Sequence, residues 1–178
     1  MNEMETKLIS AAKTGDHAAF TVLMRGYEKR LYQAAYSFLR DMEDTADVIQ
    51  ETFFRAYRNI SSFDETKPLY PWLYRIARNL CINTAKRAHR HRSTALFAEP
   101  PDERNLPDSE LLKAEERRRI RDCIDSLSGQ AGEIIMLKHF QDCSYAEIAE
   151  ILGIPLGTVM SRLYNARKQL RNKLEKEA

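Results

Sequence analysis

Apolar residues recur every three to four positions along most of this chain, the spacing of a single buried stripe on a helix. Leu8 to Lys13 closes a short first helix, stopped by Thr14-Gly15, with Asp16 as the cap of the next. Phe20, Leu23, Met24, Tyr27, Leu31, Ala35, Phe38 and Leu39 form the stripe of a long second helix that ends near Arg40. Asp44 is expected to cap a third, with Val48, Ile49, Phe53, Ala56 and Tyr57 turned inward. Residues 59–69 read as a loop carrying Ser61, Ser62, Phe63 and Asp64. Pro71 then opens a fourth helix to about Arg90, with Leu73, Ile76, Ala77, Leu80 and Thr84 on one face. Between Ser93 and Pro107 the period disappears, because Pro100, Pro101 and Pro107 cannot continue a helix and the acidic side chains favour solvation. Ser109 caps a further helix through Leu127, and another spans Gln130 to Phe140. No alternating apolar run suggests a sheet. The expected fold is all-α: two small helical domains, 1–92 and 109–178, joined by a flexible acidic linker at 93–108.

The sharpest local pattern lies near the C-terminus. Ser144 can cap a helix, with Glu147 three residues on closing a capping box. Ile148, Ile151 and Leu152 face inward, and Gly153 supplies the left-handed residue that ends the helix. Pro155 pre-sets the next start. Val159, Leu163, Ala166 and Leu170 then recur at helical spacing, leaving Thr158, Ser161, Arg162, Asn165 and Lys168 to the opposite or flanking faces. Two short helices around a tight turn, the second ending in cations, make a helix-turn-helix, and DNA becomes the first ligand to consider. A plain amphipathic pair packed on the rest of the chain would carry the same stripes. The small polar start and cationic end favour DNA, since phosphates need cations and base edges need short polar groups.

A net charge of +2 over 178 residues says little, but its distribution says more. No Asp or Glu occurs from Thr66 to Ala98, where Lys67, Arg75, Arg78, Lys86, Arg87, Arg90 and Arg92 all fall. The stretch 97–116 reverses the sign, and cations return in the last helix. Cys81, Cys123 and Cys143 are odd in number, widely spaced and lack a CxxC pair, which argues against a disulfide framework or zinc site and fits a reducing cytoplasm. His139 and Cys143 are four apart, yet a helix break expected near Gln141 and Asp142 takes them off one face. No apolar run approaches a membrane span, and the N-terminus lacks a signal-peptide core. The chain is therefore expected to be soluble and cytoplasmic, with no cofactor.

Two further helices carry candidate chemistry. On the fourth, Arg75, Arg78, Asn79, Asn83, Lys86 and Arg87 lie away from the apolar face at spacings of three and four, with Tyr70, Trp72 and Tyr74 at its start. Cations that track a backbone, beside flat rings for stacking, suit single-stranded or melting DNA. A solvated basic face over core aromatics is the alternative. The third helix carries Asp44, Asp47, Gln50 and Glu51, with Asp47 and Glu51 projecting together. They suit either a metal-dependent nuclease or an acidic docking face for a basic protein. No His or third carboxylate elsewhere completes a catalytic set. An ordinary dimeric regulator could also use the helix-turn-helix, but no coiled-coil seam or effector pocket is evident, and the second basic helix would have no task.

Three segments in order, Asp44-Thr-Ala-Asp-Val-Ile-Gln-Glu-Thr-Phe-Phe-Arg-Ala-Tyr57, Pro71-Trp-Leu-Tyr-Arg-Ile-Ala-Arg-Asn-Leu80 and the helix-turn-helix from Tyr145 to Arg167, closely resemble the bacterial extracytoplasmic-function (ECF) sigma factors. The resemblance covers essentially the whole chain. It implies a dissociable specificity subunit of RNA polymerase, not an enzyme. It implies that Asp47, Gln50 and Glu51 bind core polymerase. Ser61, Ser62 and Phe63, with Trp72, Arg75, Arg78, Asn79, Asn83, Lys86 and Arg87, would capture and open the −10 element. Gly157, Thr158, Met160, Ser161, Arg162 and Asn165 would read the −35 element in the major groove. The linker would thread toward the active-site and RNA-exit channel. The implied partners are core RNA polymerase, promoter DNA and an anti-sigma factor, often membrane-anchored, with no insertion of this chain into the membrane. Met160 and Asn165 stand where many members carry a basic residue, and Lys67-Pro68-Leu69-Tyr70-Pro71 is proline-rich for the approach to the melting helix. Both departures bear on base preference.

Overall fold

Asp16, in extended conformation, accepts the Ala19 N–H at 3.0 Å and so starts the central helix of the N-terminal half, α2 (His17–Leu39). Against it pack α1 (Glu3–Lys13), α3 (Met42–Asn59) and α4 (Leu69–His91), and α3 and α4 also pack on each other. Ile9, Leu31, Ala56 and Leu73 are wholly inaccessible at their centre. Each large aliphatic side chain so buried contributes about 1.5–3 kcal/mol. Ala12, Ala34, Ala35 and Ala77 let the helices approach closely. Thr45 and Thr52 are also fully buried, and each turns its hydroxyl onto the carbonyl four residues earlier, of Asp41 and Val48. Among the described residues no buried side-chain nitrogen or oxygen lacks a partner. The computed structural model describes residues 3–91, 119–127 and 129–176. By its contacts the chain divides into two units, Met1–Ala95 and Leu96–Ala178. The expected linker at 93–108 and the expected cap Ser109 lie outside the described residues.

The structure corrects the N-terminal reading at several points. Asp41, not Asp44, caps α3: its carboxylate accepts the Asp44 N–H at 2.8 Å, leaving Asp44 in the first turn, where the helix dipole favours it. The buried stripe of α3 is Thr45, Val48, Ile49, Thr52 and Ala56, so Phe53 is half-buried and Tyr57 is exposed. Tyr57 sits at a rim, edge-on to Phe20, with its hydroxyl 2.9 Å from His17 Nδ1. Phe38 is likewise exposed, near the C-terminal end of α2. Tyr70 and Tyr74, expected beside Trp72 as flat faces for bases, are buried instead. The Arg30 guanidinium lies 3.4 Å over the Tyr70 ring, and Tyr27 stacks beside it. Helix α4 begins two residues before Pro71, which sits in the first turn, where its missing N–H has no intrahelical partner to lose.

In the second unit the helical residues 119–125 (α5) precede α6 (Gly129–Ile135), α7 (Tyr145–Leu152) and α8 (Leu156–Lys176). Gly132 sits where a Cβ would approach the Ile124 carbonyl to 3.2 Å, so any larger residue would require that carbonyl to give by a few tenths of an ångström. The helix expected to run unbroken to Phe140 widens after Ile135 into a π turn, Met136–Phe140. The Gln141 N–H reaches back five residues to the Met136 carbonyl at 3.0 Å. Asp142 follows at φ +47°, so the break near Gln141 and Asp142 falls where the sequence indicated. Ile134, Leu137, Ile148 and Val159 are wholly buried. The three cysteines are buried and form no disulfide, and burial pushes the Cys81 thiol up to about 12. That thiol stays protonated and unreactive near neutrality.

Candidate functional site

The turn between α7 and α8 is built from local chemistry. Ser144 Oγ accepts the Glu147 N–H at 3.2 Å while the Glu147 carboxylate accepts the Ser144 N–H at 2.8 Å, completing the capping box. Gly153 ends α7 at φ +63°, and its N–H returns to the Ala149 carbonyl. The Pro155 carbonyl accepts from Thr158 and Val159 at 2.9 and 3.1 Å and launches α8. Val159, Leu163 and Ala166 turn inward, as their spacing predicts, and α8 packs on α6 and α7.

Opposite that stripe, Gly157, Met160, Ser161 and Asn165 are exposed and share an outer face. Thr158 and Arg162, one turn apart, are half-buried on its flank. The six residues singled out on α8 thus split into an outer and a lateral set. Tyr164, which sequence reasoning passed over, is 68% exposed on the same outer face. Its spacing of four from Met160 was the available signal.

His139 touches this helix from behind, its Nε2 accepting the Arg167 Nε–H at 3.2 Å. Burial is the main force lowering the His139 pKa, with the Arg167 and Lys138 charges adding to it and Asp142 opposing. At pH values well above about 6.5 the ring is neutral in both folded and unfolded chains. As pH falls, the unfolded chain binds the proton first, so stability drops until the folded value is passed and then levels. Protonation also turns Nε2 into a donor and breaks its bond to Arg167. Thermal melts from pH 8 to 5 are expected to show this fall, and His139→Gln to flatten it. An identical slope in the variant rejects the account.

In the N-terminal unit, Asp47 and Gln50 are exposed on α3, with Asp44 and Glu51 half-buried beside them. A Glu51 Oε1 to Arg55 Nε contact of 2.7 Å joins this face to the next turn. Between α3 and α4 lies a groove of about 510 Å³, lined by Asp44, Asp47 and Glu51 on one side and Leu80, Thr84 and Arg87 on the other. Arg87 therefore shares a groove with the acidic face. Arg75, Asn79, Asn83 and Lys86 form an exposed stripe on α4 that begins at the half-buried Trp72, while Arg78 is half-buried at its side. Ser61 and Ser62 are exposed on a 3₁₀ turn, Ile60–Ser62. Phe63 is 5% exposed, its ring centroid 5.1 Å from that of Trp72, so it supports the loop from beneath. No group of three or more His, Cys, Asp or Glu among the described residues is arranged to hold a metal ion. No described helix is long and apolar enough to cross a membrane.

Comparison with known proteins matches both halves. The family model described as Sigma-70 region 2 matches residues 23–91, and the one described as Sigma-70, region 4 matches residues 117–170. The chain is similar to the ECF RNA polymerase sigma factor SigW of Bacillus subtilis, 33% identical over 184 residues that cover 98% of each chain. It is similar to the ECF RNA polymerase sigma-E factor of Haemophilus influenzae, 33% identical over 186 residues and 94% of each chain. Among solved structures it resembles CnrH in complex with the cytosolic domain of CnrY, with a TM-score of 0.75 and 27% identity over 99% of this chain and 100% of that one.

Proposed function

Because the chain belongs to the ECF RNA polymerase sigma factors, we propose that its two helical units divide between them the recognition of a promoter by RNA polymerase. The chain binds core polymerase and directs initiation through −10 melting and −35 recognition, as an initiation factor with no chemistry of its own. It works in the cytoplasm, where polymerase and promoter meet. Asp47, Gln50 and Glu51 on α3 form the docking face for core polymerase. Ser61 and Ser62, with Trp72 and the Arg75, Asn79, Asn83 and Lys86 stripe, receive the melted −10 strand, while Phe63 shapes the loop. On α8 the outer face meets base edges and the flank meets phosphate. An anti-sigma factor is the expected antagonist, a reading supported by the likeness to CnrH bound to CnrY. One chain carrying two DNA-facing units gains effective concentration once polymerase sets their spacing.

The observation that carries this reading is the outer face of α8, where Ser161 and Asn165 stand exposed with Met160 and Tyr164 over a packed inner stripe, in a chain that also holds a separate exposed stripe on α4 with Arg75 and Lys86. Run-off transcription tests it: purified chain plus core polymerase starts transcripts at a discrete promoter, mapped by transcript sequencing after overexpression. Tight dimeric operator binding without polymerase would favour an ordinary regulator instead. Arg162, on the flank, is expected to contact phosphate. Arg162→Ala should weaken −35 binding equally across sequences and reduce the salt slope by about one. A loss confined to one base pair, of about 1–3 kcal/mol, would assign Arg162 to a base edge. Unchanged binding at every salt removes it from the interface.

A further inference from the structure

Lys13, the last residue of α1, makes its polar contacts fifty positions along the chain. Its Nζ donates to the Phe63 carbonyl at 3.0 Å and lies 2.8 Å from Glu65 Oε1. A lysine in the last turn of a helix ordinarily reaches water or the final carbonyls of its own helix. This one is only 25% exposed and is spent on the segment between α3 and α4. Several other hydrogen bonds of that segment are local. Ser62 Oγ donates to the Asn59 carbonyl at 2.9 Å, and the Phe63 N–H donates to Ile60 at 3.1 Å. Asp64 accepts from the Thr66 N–H and hydroxyl at 3.0 and 2.6 Å. These bonds hold the Asp64 carboxyl below its ordinary range, the Thr66 hydroxyl first, with the Lys67 and Lys13 charges adding. Local turns define the curvature of a loop but not its station on the protein. Its station comes from the buried Ile60 and Phe63 side chains, which seat the 3₁₀ turn on α1 and α3, and from the polar tie of Lys13.

We infer that Lys13 is a positioning residue for −10 capture: through it, α1 holds residues 60–66 in the shape that receives an unpaired base. The inference rests on the reading of this loop as the −10 site, and α1 lies ahead of residues 23–91 that match Sigma-70 region 2. A loop already held in its binding shape does not have to be ordered when the strand arrives, and the affinity that ordering would consume is retained. Lysine suits the task because one ammonium can donate to a carbonyl and pair with a carboxylate at once. Methionine keeps the stem and loses both.

The test uses holoenzyme and two DNA probes taken from the chain's mapped promoter: a fork with an unpaired −10 non-template strand, and a −35 duplex. Lys13→Met is expected to bind the fork about tenfold more weakly, as befits loss of a charge-assisted hydrogen bond. Binding to the −35 duplex and capture of core polymerase should stay unchanged. Lys13→Arg should restore fork binding, and Glu65→Gln, which leaves the Phe63 carbonyl bond, should lose less than Lys13→Met. Hydrogen exchange at residues 60–67 should quicken in Lys13→Met alone. Full fork binding by Lys13→Met overturns the inference, and so does an equal loss on all three measurements or a failure of arginine to rescue. Wild-type holoenzyme that does not distinguish its own unpaired −10 strand from a scrambled one overturns the −10 reading itself, and the role of Lys13 with it.

Discussion

Capture of core RNA polymerase by the Asp47→Lys/Glu51→Lys variant is expected to fall at least about a hundredfold, since close interfacial charge pairs couple by about 1.5–7 kcal/mol each. Two negative charges on one helical turn become two positive ones, and a basic partner surface then meets repulsion. The fold predicts only a small cost: Arg87 across the groove would face lysines instead of carboxylates, a surface repulsion that salt screens. Asp47 is exposed and Glu51 half-buried, and neither belongs to the core stripe of α3. Lysine continues a helix better than aspartate. The Glu51–Arg55 pair would become a like-charge pair four residues apart, at a cost of about 0.2–0.5 kcal/mol. Circular dichroism and melting should therefore match the parent, while core capture fails and recovers in part as salt screens the repulsion. Ordinary holoenzyme assembly by this variant would falsify the docking face.

Leu163→Ala is expected to destabilise the C-terminal unit by about 2–5 kcal/mol, the usual range for emptying a packed leucine site. Leu163 is 1% exposed on the inward stripe of α8, which packs on α6 and α7. Total stabilities of domains run to about 5–15 kcal/mol, so the loss takes much of what holds the helix-turn-helix together. Binding to −35 DNA should weaken although residue 163 faces away from the outer surface. Met160→Ala, at a side chain 51% exposed one turn earlier, should leave stability within about 0.5 kcal/mol. Denaturant melts of the two variants make the comparison. Equal stability would mean that α8 is not held by its buried stripe.

Much of the architecture was readable before any coordinates. Asp16, the Ser144–Glu147 box, Gly153 and the stripe Val159, Leu163 and Ala166 behave as read, because a cap or a helical period is decided within one or two turns. Local pattern does not decide between neighbouring candidates that compete for one role. Asp41 and Asp44 are three apart and equally suited to capping; α2 ends at Arg40 with φ +56°, and Asp41 is the one that follows in extended conformation. Tyr70 and Tyr74 looked like partners of Trp72, but both rings are enclosed, Tyr70 beneath Arg30 and beside Tyr27 of α2 and Tyr74 against Tyr70. The candidate surfaces were legible as stripes. Tyr164 was missed because an aromatic residue reads as core unless the face it shares with Met160 is known to be bare.

By itself, the order of residues determined most of the helices among the described residues, where most of them stop, and the alternation of basic and acidic stretches along the chain. Those properties depend on interactions within a few residues. Only the tertiary structure decided which aromatic rings are enclosed, that Arg87 shares a groove with Asp44, Asp47 and Glu51, and that Lys13 reaches the Phe63 carbonyl. Such outcomes join side chains that are distant in sequence, and no local periodicity encodes them: they follow from the way α1, α3 and α4 settle around α2.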